Sequence, residues 1–244
     1  MNIGNRLAEI WKKDYINAFP FIKDRGYAFA DNVKKDILIT GFNPSFRDGD
    51  TAGVVHGPIS EIWYDEKYDN YWGPIRKIIN DDGIDLRNNA DYLDIFYFRE
   101  KDQQFLNDKI LSHPNGIRFL VDQLNLTMHI IEDVVKPKLL VIKNKESWAY
   151  FGRLFEDKGW VWMGYQFEHI QNMACGELCR IKGLLNSKER IAPEILQTNL
   201  VGSFALFTNH INQYTPLKER PNSKILKSIL DLYNAELEIR SYSI

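Results

Sequence analysis

"DILITGFNPSF", Asp36 to Phe46, decides how the rest of the chain is read. Ile37, Leu38, Ile39 and Thr40 form a short, β-branched, apolar run that ends on Gly41. A continuous apolar run of this length, stopped by glycine, reads as a strand buried on both faces. The next four residues, Phe42-Asn43-Pro44-Ser45, are either an ordinary strand-ending turn, since Asn, Pro and Ser all favour turns, or a piece of chemistry.

Further strands are expected at "DYLDIFYF" (91–98), "PKLLVIKN" (137–144) and "GSFALFTNH" (202–210). Helical spacing of apolar residues lies between and around them. It covers residues 3–19, a helix beginning near Pro74, and residues 115–135. It continues in "ESWAYFGRLFEDKG" (146–159), closed by Gly159, and in a last helix after Asn222 or Ser223. Buried strands alternating with helices predict an α/β fold, a three-layer α/β/α sandwich around a central four-stranded parallel sheet. A single domain over 1–244 is expected, with residues 160–200, aromatic and then weakly helical, as an insertion outside the rhythm.

Composition narrows the function. The 244 residues are 44% hydrophobic, enough for a sizeable core, and 31 basic against 33 acidic residues leave a formal charge of −2. Any nucleic-acid contact would therefore need a local basic patch. Cys175 and Cys179 are the only cysteines, too few for a disulfide framework or a four-thiolate metal site, so neither metal nor cofactor is expected. Charges interrupt the apolar residues of the N-terminus, and no window reaches the roughly 20 apolar residues of a membrane span. The expectation is a cytoplasmic protein without a membrane partner. Neither a phosphate-binding Gly-x-x-x-x-Gly-Lys loop, a dinucleotide-binding glycine motif nor a Gly-x-Ser-x-Gly elbow is present.

In open parallel sheets ligands bind beyond the carboxyl ends of the strands. The candidates are thus Asn43 to Phe46, Phe96 to Arg99, Lys143 to Lys145, and Asn209 to Gln213. At these positions the chain resembles the uracil-DNA glycosylase superfamily. "GFNPS" (41–45) is similar to that family's first motif in its asparagine form, as in the mismatch-specific and single-strand-selective branches. "GVVHGP" (53–58) and then "DNYWGPIRKII" (69–79) are similar, in order and spacing, to the segments downstream of that motif in the mismatch-specific branch. "NHINQYTP" (209–216) stands where the family has a closing His-Pro-Ser, with Ile211 in place of proline. "SHPNG" (112–116) is closer by letters, but it precedes a helix instead of coming after the last strand.

The resemblance implies hydrolysis of the N-glycosidic bond of a damaged or mismatched base in DNA, with the nucleotide flipped into a pocket. Asn43 would place water through its side-chain carbonyl, and His210 would donate to the base oxygen where charge gathers. Gly41 would let the backbone come close to the ligand, and Phe42, Phe46 and His56 would contact or stack on the base. Asp94 stands where one branch reads the base with asparagine. As a carboxylate it would only accept hydrogen bonds, favouring a base edge that presents donors over uracil. The alternative is a non-catalytic relative that keeps the fold to bind nucleic acid, a nucleotide or a protein. The charge balance, Ile211 and Asp94 favour it. Each candidate also has a plainer reading, His210 and His56 as surface residues and Asp94 as an exposed strand end.

Overall fold

The computed structural model describes residues 2–67, 69–102, 104–154 and 159–241. Its central sheet has six strands: β1 (Ile37–Gly41), β2 (Ala90–Asp94), β3 (Leu139–Lys143), β4 (Tyr165–Met173), β5 (Gly176–Leu184) and β6 (Phe204–Thr208). They lie in the order β2-β1-β3-β6-β5-β4. β2, β1, β3 and β6 run parallel, whereas β5 pairs antiparallel with β6 and β4 antiparallel with β5.

The four parallel strands are the expected ones with shorter bounds, except that β2 begins one residue early and stops at Asp94, four residues before the expected end, which leaves Phe96 and Phe98 buried in the core; every residue of β1, β3 and β6 is buried. Alternate side chains enter two separate cores. Leu38, Leu140, Ile142, Ala205 and Phe207 join one cluster with buried residues of α1 (Ile3–Lys12), α3 (Gly116–His129) and α4 (Lys145–Phe151). Ile37, Ile39, Leu139, Val141, Phe204 and Leu206 join the other with residues of α2 (Trp72–Ile79) and α5 (Ser223–Ser241). Helices on both faces explain why these strands carry no polar alternation.

Three further expectations need correction. The sheet is six-stranded and mixed, because residues 165–184 form a β-hairpin where weak helix was expected. Gly176 lets the hairpin join the sheet, since a Cβ there would run into the Phe207 carbonyl of β6. β4 is the sheet edge, and its Gln166, Glu168, His169, Gln171 and Asn172 side chains leave it without a continuous apolar signal. Cys175 and Cys179 sit in the turn and in β5, where both are buried and in no disulfide. The first helix ends at Lys12 and gives way to a 3₁₀ segment, and α4 ends at Gly152, whose φ of 117° stops it well before Gly159. The remainder of that expected helix includes residues 155–158, which lie outside the described residues.

Two buried groups tie the peripheral segments to the core. Glu132 accepts hydrogen bonds from Tyr165 of β4, Thr198 and the Asn199 backbone. Arg190 donates to the carbonyls of Leu185, Ala192 and Ile195, so its guanidinium satisfies an otherwise irregular loop. α5 starts at a capping Asn222, which accepts from Ile225 N at 3.0 Å. Among the described residues no helix is long and apolar enough to cross a membrane.

Candidate functional site

The four parallel strands end at one edge: Asp94 pairs with Gly41 across β2 and β1, and Lys143 pairs with Thr208 across β3 and β6. Beyond that edge lies a cleft of about 500 Å³ whose lining includes Asn43, Arg47, Tyr71, Asp94 and His210. Asn43 and His210, far apart in sequence, therefore share a cavity because their strands share an edge. A second pocket of about 290 Å³ adjoins it, with Asp94, Pro44 and Trp72 belonging to both.

Asn43 is held in one orientation. Its Nδ2 donates to the carbonyls of Glu100 (2.6 Å), Pro44 (3.0 Å) and Phe98 (3.4 Å). Carbonyl oxygens only accept, so the amide nitrogen must face them and Oδ1 must face away. No described residue donates to Oδ1, which leaves one fixed acceptor for a ligand or water. Asn43→Asp would set a carboxylate against those carbonyls. It is expected to destabilise the fold by about 2 kcal/mol in chemical denaturation, through buried repulsion and lost donors. Stability equal to the native protein would contradict this anchoring.

His210 follows β6 and stands exposed at the cleft, its imidazole hydrogen-bonded to no described residue. Crowding by the protein and the positive charge of Lys143 both hold its pKa below the usual value. It is therefore neutral at pH 7, with one ring N–H to donate.

Asp94 ends β2 with Oδ1 accepting from the Tyr92 hydroxyl at 2.8 Å, while Oδ2 has no hydrogen-bond partner among the described residues. Tyr92 in turn lies 2.5 Å from the Tyr71 hydroxyl, and Lys143 Nζ donates to Tyr71 at 2.8 Å. Lys143 is 2% exposed. Burial raises Asp94 to about 6 against the attraction of Lys143, and burial lowers Lys143 to about 8 against the attraction of Asp94. Desolvation also pushes the Tyr71 and Tyr92 hydroxyls above their ordinary range, so both stay protonated.

The other expected contacts are placed differently. Gly41 does not line the cleft; a Cβ there would strike the Tyr92 hydroxyl and the Asp94 carboxylate, so its bare backbone makes room for those two groups. Phe42 is buried in the core against Phe96 and Tyr150 and has no face for a base. Phe46 packs against the guanidinium groups of Arg25 and Arg99, at 5.1 and 4.8 Å, and lines neither pocket. His56 lines the smaller pocket, stacked on Phe29 at 5.0 Å and 3.2 Å from the Asp31 carboxylate. His113, in "SHPNG", packs against Phe19 away from the cleft.

Tyr71, Tyr92 and Lys143 carry no assigned role in the motif reading. Tyr92 had a signal, since residues two apart on a strand share a face and Asp94 is its partner. Lys143 stands at the carboxyl end of a buried strand, a costly place for a cation. Nothing local in sequence joins either to Tyr71.

The fold and the cleft define an α/β protein with a mostly parallel central sheet, flanking helices and a polar cavity at the strands' carboxyl edge. No protein-family model, curated protein or solved structure was found to match the chain.

Proposed function

We propose that this protein hydrolyses the N-glycosidic bond of a damaged or mismatched base in DNA. The observation that carries the reading is the convergence of Asn43, Asp94 and His210 on one cleft, with Asn43 Oδ1 and the His210 imidazole both lacking hydrogen-bond partners among the described residues. Asn43 holds water by accepting its proton-bearing side, and as an amide it cannot take the proton away. His210, neutral, donates to the base as charge moves onto it. The base enters after flipping out of its stack, and the exposed Arg47 and Lys101 at the cleft offer cations to the flanking phosphates.

The test is incubation of purified protein with duplexes and single strands carrying uracil, hypoxanthine, xanthine or a thymine mismatch, and then alkali to break abasic sites. Strand cleavage at the modified base is expected, reduced about 100-fold by Asn43→Ala and by a similar factor by His210→Ala. Absence of cleavage on every substrate would defeat the reading. DNA binding that persists without cleavage, and weakens steeply with salt, would instead favour a binding protein that keeps this architecture.

A further inference from the structure

We propose that Asp94 is the proton donor to the departing base, and that Lys143, Tyr71 and Tyr92 form the hydrogen-bonded path that restores its proton. The assignment rests on the reading of the cleft as a site of N-glycosidic hydrolysis.

The direction of each link is fixed by chemistry. An ammonium has donors and no acceptor, so Lys143 Nζ donates to the Tyr71 oxygen across 2.8 Å. Tyr71 must then send its own proton onward, and the Tyr92 oxygen lies 2.5 Å away. Tyr92 likewise passes its proton to Asp94 Oδ1 at 2.8 Å. Lys143 and Asp94 form no direct ion pair among the described residues, so the two hydroxyls are the connection between the charges.

Shifting one proton along every link converts ammonium and carboxylate into amine and carboxylic acid, and leaves each tyrosine as it began. Burial disfavours the charged pair on both sides, which narrows the free-energy gap between the two forms while leaving ammonium and carboxylate favoured. Asp94 is the member of the chain whose second oxygen is unoccupied at the cleft. The groups that bear on it are Tyr92 from its own strand, Lys143 from β3, Tyr71 and Asp69 ahead of α2, Arg47 after β1, and His210 after β6.

In the reaction, the Asp94 acid gives its proton to a ring nitrogen of the base as the bond to the sugar breaks. The electron pair of that bond stays with the base, which leaves neutral. Water bonds to the sugar carbon and sheds one proton to solvent. The acid is formed before the bond breaks, by passage of one proton from Lys143 through Tyr71 and Tyr92, and once it is spent the Lys143 amine regains one proton from solvent through the Tyr71 hydroxyl, which lines the cleft. One water is consumed and the protein ends as it started. This chemistry selects the substrate class: a base with a basic ring nitrogen, a purine or an amino-pyrimidine, in preference to uracil.

The test combines a titration with kinetics. Carboxyl ¹³C and lysine ¹⁵N NMR of the native protein, with Asp94 assigned through its backbone, should show Asp94 titrating near pH 6 and Lys143 near pH 8. Lys143→Met should move the Asp94 midpoint further up. Single-turnover cleavage of a hypoxanthine strand should drop above the Asp94 midpoint to a level held by the relay and fall tenfold per pH unit only above the Lys143 midpoint, and Asp94→Asn should make it slow and independent of pH.

An Asp94 midpoint in the ordinary carboxylate range overturns the relay and needs no variant, so a variant that fails to fold leaves the question decidable. An unchanged midpoint in folded Lys143→Met overturns it too. Cleavage by Asp94→Asn with the native pH profile removes the acid role and leaves the hydrolysis reading standing. Coupled titration with no cleavage of any strand removes both the hydrolysis reading and the acid role.

Discussion

Gly41→Val is expected to cost about 4 kcal/mol of stability and to abolish cleavage, although the side chain it adds is apolar and sits in a buried strand. Gly41 pairs directly with Asp94 across β1 and β2, and any Cβ would enter the space held by the Tyr92 hydroxyl and the Asp94 carboxylate. Neither group can retreat, because Tyr92 is wedged among Trp63 and Trp72 and bonded to Tyr71. Overpacking of this kind costs about 1–3 kcal/mol. Breaking the buried hydrogen bonds adds a comparable amount. Denaturant unfolding reads the loss. Thr40→Val, one residue earlier, removes a buried hydroxyl that has no hydrogen-bond partner and should be neutral or slightly stabilising. A native-like midpoint for Gly41→Val would show that the Tyr92–Asp94 packing is not what glycine serves here.

The second large effect runs the other way. The double variant Asp94→Asn, Lys143→Met is expected to be more stable than the native protein by about 3 kcal/mol at pH 7, while losing function. Asp94 ionises at about 6 in the fold and in the ordinary carboxylate range when unfolded. Its burial therefore costs nothing below about pH 4, and the cost is complete above pH 6. Lys143 loses its proton at about 8 in the fold, against 10.5 when unfolded. Its cost is complete below pH 8 and fades between pH 8 and 10.5. At about 1.4 kcal/mol per pH unit, both penalties are fully present between pH 6 and 8. The advantage of the double variant should be greatest in that window and shrink on either side. A stability difference that stays flat from pH 4 to 10 would mean that burial does not shift the two groups, and a variant less stable at pH 7 would mean that the pair is a net stabilising contact and not a functional cost.

That cost bears on how the site reads in sequence. A lysine and an aspartate at the ends of two buried strands look like ordinary strand termini, and each alone is more often solvated than functional. Their significance comes from Tyr71, which precedes α2 and reaches over the sheet edge to bring Lys143 and Tyr92 into one chain. Phe42 and Phe46 show the reverse. Aromatic residues beside a motif look like stacking surfaces, yet core packing claims the first and two arginines the second.

By itself the sequence determined the four parallel strands, the helices on both sides and the edge at which Asn43 and His210 would emerge, whereas it ran the second strand on to Phe98 and so left Asp94 inside it. Continuous apolar runs and helical periodicity are local signals, and strand polarity in a βαβ chain derives from them. The tertiary structure alone decided that residues 165–184 extend the sheet, because β4 at the edge carries polar side chains with little apolar pattern and the hairpin is recruited through the backbone hydrogen bonds of β5 to β6. It alone decided the orientation of Asn43 and the chain from Lys143 to Asp94. Hydrogen bonds between residues tens of positions apart depend on which backbone carbonyls and hydroxyls meet once the strands align, and no spacing along the sequence encodes that meeting.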